Sequence, residues 1–174
     1  MARESEPEPT SLIALLRDAH WEIKSLLHEM EEILDLPTAV YELYPRIRLA
    51  LEAHETGEKF ALYGPMRDIP ELRDLLRNGE RAHAEIDRIL DTLDRLPFRK
   101  EQVHSAAWKQ SFRDLHIAVL AHVAEEEANM FPRLEALLAE ARLDALGERY
   151  KRGLKGDLGP LPPSVEVNDH VIPS

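Results

Sequence analysis

One short pattern occurs twice in this chain and alternates with a second pattern that also occurs twice. Ala19-His20-Trp21-Glu22-Ile23 returns as Ala82-His83-Ala84-Glu85-Ile86. Ala53-His54, with Glu58 four residues after the histidine, returns as Ala121-His122 with Glu126. The second pair shares an ending: Leu62-Tyr63 before Pro65, and Met130-Phe131 before Pro132. The order reads as two helical hairpins related by duplication. Residues four apart share one face of a helix, so each His-x-x-x-Glu aims an imidazole and a carboxylate the same way. His20, His54, Glu58, His83, His122 and Glu126 together form a ligand set for two metal ions.

The spacing around these motifs predicts an all-α fold. Leu12, Leu16, His20, Ile23, Leu27, Met30 and Leu34 form one stripe on a first helix, 11–34. Pro37 should break it. Residues 38–44 form at most a helical lead-in, and Pro45 fits the first turn of a second helix, where a missing N–H costs little. That helix carries Ile47, Leu51, His54, Glu58 and Leu62 and should end at Gly64-Pro65. A third helix, 70–96, carries Leu72, Leu76, Gly79, His83, Ile86, Leu90 and Leu93. A fourth, 101–130, carries Trp108, Phe112, Leu115, Val119, His122 and Glu126, with a kink or restart at Pro132. Steps of three and four mark a single buried face.

Short connections favour an antiparallel up-down-up-down four-helix bundle over 11–135, with a short additional C-terminal helix at 136–154 broken near Gly147. Residues 1–10 read as an acidic, proline-rich tail, and 155–174 as an irregular one. With a rise of about 1.5 Å per residue, the six candidate ligands fall within about two turns of one level of such a bundle.

A lone histidine on an apolar face is usually a hydrogen-bonded core residue. Four at one level, with two inward glutamates, differ, because uncompensated buried carboxylates are costly and few Lys or Arg occupy the stripes. His28, His104 and His116 lie off the stripes and read as surface or boundary residues; His170 reads as solvated. In Glu125-Glu126-Glu127 only Glu126 is in register. Tyr63 and Phe131 read as caps on the end of the bundle, with the Tyr63 hydroxyl able to approach the site.

The formal charge of −11 argues against nucleic acid as a partner. No stretch has the length and apolarity of a membrane span. The N-terminal stretch lacks an apolar signal core, so the expected location is cytoplasmic. The chain has no cysteine, which excludes disulfides, thiolate-bound clusters and thiol catalysis. Nitrogen and carboxylate donors without thiolate suit iron, manganese or zinc rather than copper(I).

With these motifs in place, the chain resembles the hemerythrin-like proteins of the HHE cation-binding type. The resemblance rests on His20, His54/Glu58, His83 and His122/Glu126, with the aromatic-Pro endings as flanks. It implies a non-haem centre of two Fe ions with an oxo, hydroxo or water bridge inside a four-helix bundle. Oxygen-carrying hemerythrins add a histidine on the third helix, but Gly79 and Asp87 stand at the corresponding places around His83. They also use a longer His-to-Asp spacing on the last helix. Some relatives place a glutamate after the second-helix histidine, which makes Glu55 a candidate additional ligand. Gly79, one turn from His83, either leaves a gap for a water, a diatomic gas or peroxide, or permits close helix packing.

The resemblance implies a protein that binds or reduces small oxygen or nitrogen species such as O2, peroxide or NO, as a weak peroxidase, a catalase-like enzyme or an NO-handling protein. A redox or protein partner is left open. The competing expectation is an iron or oxygen sensor without turnover, read out through the C-terminal segments.

Overall fold

A computed structural model describes residues 11–100 and 104–156. The expected tail at 1–10, the stretch 157–174 with His170, and the expected start of the fourth helix at 101–103 lie outside the described residues. Helices α1 (Leu12–Ile33), α2 (Pro37–Glu58), α3 (Gly64–Met66), α4 (Arg73–Arg95), α5 (Ala106–Glu125), α6 (Phe131–Leu137) and α7 (Glu140–Leu154) follow in order, and no strand occurs among the described residues. The stripe on α1 is buried along its whole length. That apolar face, rather than intrinsic propensity, holds a helix of this kind in place.

The second helix begins earlier than the sequence suggests. Pro37 occupies its first turn, and Pro45 lies inside it. An interior proline removes one backbone hydrogen bond and costs about 3 kcal/mol. Packing outweighs that cost here. The Pro45 ring is exposed, while Leu43, Tyr44 and Ile47 around it are buried. Tyr44 meets Trp108 edge-on and donates to Asp94 at 3.3 Å.

Gly64-Pro65 and Phe131-Pro132 do not end their helices. Each is preceded by a π-helical segment, Lys59–Tyr63 and Glu126–Met130. In these the Gly64 N–H bonds to the Lys59 carbonyl and the Phe131 N–H to the Glu126 carbonyl, five residues back. A proline ring clashes with the carbonyl four residues earlier, and a widened turn relieves that clash. The rod therefore passes through both prolines, into α3 and α6. The real break before the last helix is at Leu138–Ala139, where the backbone is extended. Gly147, expected as a break, is a buried residue within a continuous α7.

Helix α1 packs against α2, α4 against α5, and α1 also against α5. Helix α7 lies across α1 and α2. Gly57 makes that approach possible, because a Cβ there would collide with the Tyr150 ring. The apolar core is in two parts. One contains Ile23, Leu51, Ile86, Val119 and Val123; the other contains Leu16, Leu62, Leu76, Met130 and Phe131. In α1, His20 falls between Leu16 of one part and Ile23 of the other, and the remaining candidate ligands interrupt their own stripes in the same way. No helix among the described residues is long and apolar enough to cross a membrane.

Candidate metal centre

A polar layer separates the two parts of the core. His20 and Glu58 are fully buried, Glu126 is 1 % exposed, and His54, His83 and His122 are buried. Each takes the inward place that the helical spacing reserves for an apolar side chain. The layer contains two sets whose donor atoms lie within 4.8 Å of one another: His54, Glu58, His83 and His122, and His20, His54, Glu58 and Glu126. The sets share His54 and Glu58.

The contacts inside the layer are close and poorly satisfied. His83 Nε2 and His122 Nε2 face each other at 2.8 Å. His83 Nε2 lies 3.1 Å from Glu58 Oε2, and His54 Nε2 lies 3.5 Å from that same oxygen. Glu126 meets His20 Nε2 at 3.3 Å and His122 Nε2 at 3.7 Å. Yet His20 Nε2, His54 Nε2, both Glu58 oxygens and Glu126 Oε2 have no hydrogen-bond partner among the described residues. Buried polar atoms are normally paired, and a buried carboxylate with an unpaired oxygen is costly. A cation removes both difficulties. Two cis donors on one octahedral first-row metal stand about 3 Å apart, near the spacing of the two facing nitrogens. The residues present therefore fit a metal.

The electrostatics point the same way. Burial, and next the neighbouring histidines, hold His54 well below the usual imidazole range. Burial and His122 bring His83 down to about 4. Burial likewise lowers His122. Neutral imidazoles are the form that ligates. The two carboxyls are driven apart: burial and Glu126 raise Glu58 well above its ordinary value. Burial also presses upward on Glu126, but His20 and the other imidazoles outweigh it and bring the group down to about 2. A bound cation favours the ionised form of both.

Around this layer the π-helical segments have a second effect. A widened turn carries residue i+5 toward the face of residue i. Tyr63 stands five residues after Glu58, and Phe131 five after Glu126. The Tyr63 hydroxyl donates to Glu126 Oε1 at 3.3 Å, and Phe131 stacks on His20 with ring centroids 5.5 Å apart. The space where a Cβ of Gly79 would project is occupied, because that atom would collide with the Tyr63 hydroxyl. Close approach of helix and ring explains this glycine.

Glu55 stands apart from both donor sets. Its Oε1 lies 2.5 Å from Lys59 Nζ and 3.9 Å from His83 Nδ1. Glu127, read from sequence as solvent-facing, is half-buried and accepts from His20 Nδ1 at 3.0 Å. Lys24, one turn beyond His20, donates to that same carboxylate at 3.2 Å. The signal that could have found Glu127 is this Lys24, four residues from a candidate ligand on the opposing helix.

His104 is also buried rather than superficial, stacked on Phe98 at 4.9 Å in an aromatic cluster with Trp108. His28 is exposed beside Glu32, and His116 pairs with Glu31 at 3.2 Å; neither approaches the layer.

No curated protein and no solved structure matches the chain. The model of the hemerythrin HHE cation binding domain matches residues 11–134, so this buried histidine–glutamate layer lies in a chain that belongs to the hemerythrin HHE cation-binding family.

Proposed function

We propose that the chain holds two iron ions and binds or reduces small oxygen or nitrogen species: O2, peroxide or NO. The observation that carries this reading is the pair of overlapping donor sets, with His54 and Glu58 in both. His20 and Glu126 would serve one ion and His83 and His122 the other, with Glu58 of both sets as the carboxylate that would be shared. The reading assumes the up-down-up-down bundle, with α1, α2, α4 and α5 as its four members and α7 outside.

When bound, two irons supply open coordination positions and electrons for a small ligand. The rest falls to the chain. Six protein donors leave part of two octahedra free. Ile23, Leu51, Ile86 and Val119, with Glu52, Glu55 and Asp87, line a small cavity against His54, His83 and His122 that admits only small molecules. Glu127 holds the proton of His20 on Nδ1 and keeps Nε2 free to ligate. Tyr63 holds an O–H against Glu126 at 3.3 Å. Burial, and next Glu58 and Glu126, keep that phenol protonated far into alkaline pH.

A second reading is favoured by one observation. Tyr150 of α7 sits on Gly57, next to Glu58. Occupancy of the layer would then be felt by α7, as in a sensor that a protein partner reads without turnover. We place the protein in the cytoplasm under either reading.

Metal content per chain, measured with an absorption spectrum, tests the first reading. Two irons with near-ultraviolet charge-transfer bands are expected. One zinc ion, or no metal in a folded chain, would overturn it. Oxygen release from added peroxide over many turnovers then separates enzyme from sensor.

A further inference from the structure

The alanine before each candidate ligand histidine is part of the repeat, and metal binding does not require it. The structure gives these alanines a place. Ala82 and Ala121 line a cavity of about 300 Å³ along the seam between α4 and α5, together with Gly79 and Ala118. Ala19 and Ala53 line a similar groove of about 340 Å³ between α1 and α2. Each histidine points inward, so the residue before it, about a quarter-turn away, falls on the flank facing the hairpin partner. A small side chain there leaves the seam open.

The two seams differ in what covers them. Tyr150 and Leu154 of α7 form one wall of the groove between α1 and α2, which His54 also lines. The cavity between α4 and α5 has no such element in its lining. Leu75, Ala82, Ala118, Ala121 and Met130 give it an apolar floor, the exposed Asn78, Glu85 and Glu125 stand along its rim, and His122 and Glu126 form part of its lining. Glu126 is 1 % exposed, and its Oε2 has no hydrogen-bond partner among the described residues. A groove with an apolar floor beside such donors suits a small uncharged ligand, while Glu85 and Glu125 on its rim disfavour anions.

We infer that the α4–α5 seam, opened by Ala82 and Ala121, binds small uncharged molecules and is their route to the metal centre. As a route to bound metal, it rests on the function proposed above.

Xenon, a small uncharged apolar atom, tests the site without any metal. Amide shifts in the metal-free protein under xenon pressure should saturate at Ala82, Ala118 and Ala121, and the double variant A82L/A121L should lose them. Xenon shifts absent from the seam, or confined to α1 and α2, overturn the inference.

Stopped-flow association of NO with the iron-loaded protein tests the route. A82L/A121L should slow association about tenfold with unchanged metal content, while A19L should leave the rate near that of the unsubstituted chain. Equal rates in A82L/A121L, with xenon bound in the unsubstituted chain, overturn the route. Xenon bound in the seam, with no NO adduct in the loaded protein, supports the site and sinks the function instead.

Discussion

His20 stands between two consecutive residues of the opposing helix: its Nδ1 lies 3.0 Å from Glu127 Oε1 and its Nε2 3.3 Å from Glu126 Oε2. One imidazole therefore has a fixed tautomer and a fixed aim before any cation arrives. Removing such an outer carboxylate typically weakens metal binding by about 10- to 100-fold. Glu127→Ala should show a loss of this size in chelator competition, and Glu127→Gln, which still accepts from Nδ1, a smaller one. Equal affinity in Glu127→Ala and the unsubstituted chain would remove Glu127 from the site.

The layer's two carboxylates, Glu58 of both donor sets and Glu126 of one, give the sharpest test of two ions. Glu58→Ala or Glu126→Ala should lose at least one metal per chain by elemental analysis. Two retained metals in both variants would end the bridging assignment. His116→Ala should keep full metal content, since its partner Glu31 lies away from the layer.

Gly79 and Tyr63 should be coupled. Gly79→Ala puts a methyl into the Tyr63 hydroxyl, and overpacking of this kind costs about 1–3 kcal/mol. Tyr63→Phe removes the atom that is struck. In a double-mutant cycle by chemical denaturation, Gly79→Ala should therefore cost less in the Tyr63→Phe background. Additive effects would mean that the helix shifts rather than the ring.

Acid should weaken the metal-free chain through its imidazoles. His83 is held near 4 and His54 well below 6.5 in the folded state, both first by burial. Between about pH 6.5 and 4 these lowered imidazoles, with His122, take up protons in the unfolded chain before the folded one. They outnumber Glu58, whose raised carboxyl works the other way, so stability falls as pH falls across that window. Denaturation midpoints of His54→Leu should be less pH-sensitive there. An unchanged slope would show that His54 does not control it.

Much of this was legible because a helical stripe makes substitutions conspicuous. His20 between Leu16 and Ile23, or Glu58 between His54 and Leu62, breaks an apolar series at the spacing where only inward residues belong. The prolines misled for a physical reason. Proline rules describe an isolated helix, whereas Pro45 is carried by the burial of Tyr44 and Ile47, and Pro65 and Pro132 by widened turns. Glu127 was hidden by the same widening, which a fixed 3.6-residue period does not follow. His104 was hidden because its partners, Phe98 and Trp108, come from the segments that flank it rather than from a stripe.

The polar layer also has a consequence for how the molecule comes apart. The two halves of the apolar core meet across side chains that attract one another weakly when no cation is present and strongly when one is. Cooperativity itself then depends on occupancy. The loaded chain should melt as a single unit, and the stripped chain in two steps, the Leu16–Phe131 end and the Ile23–Val123 end each yielding at its own temperature. The cation acts as the joint that makes two small folding units behave as one.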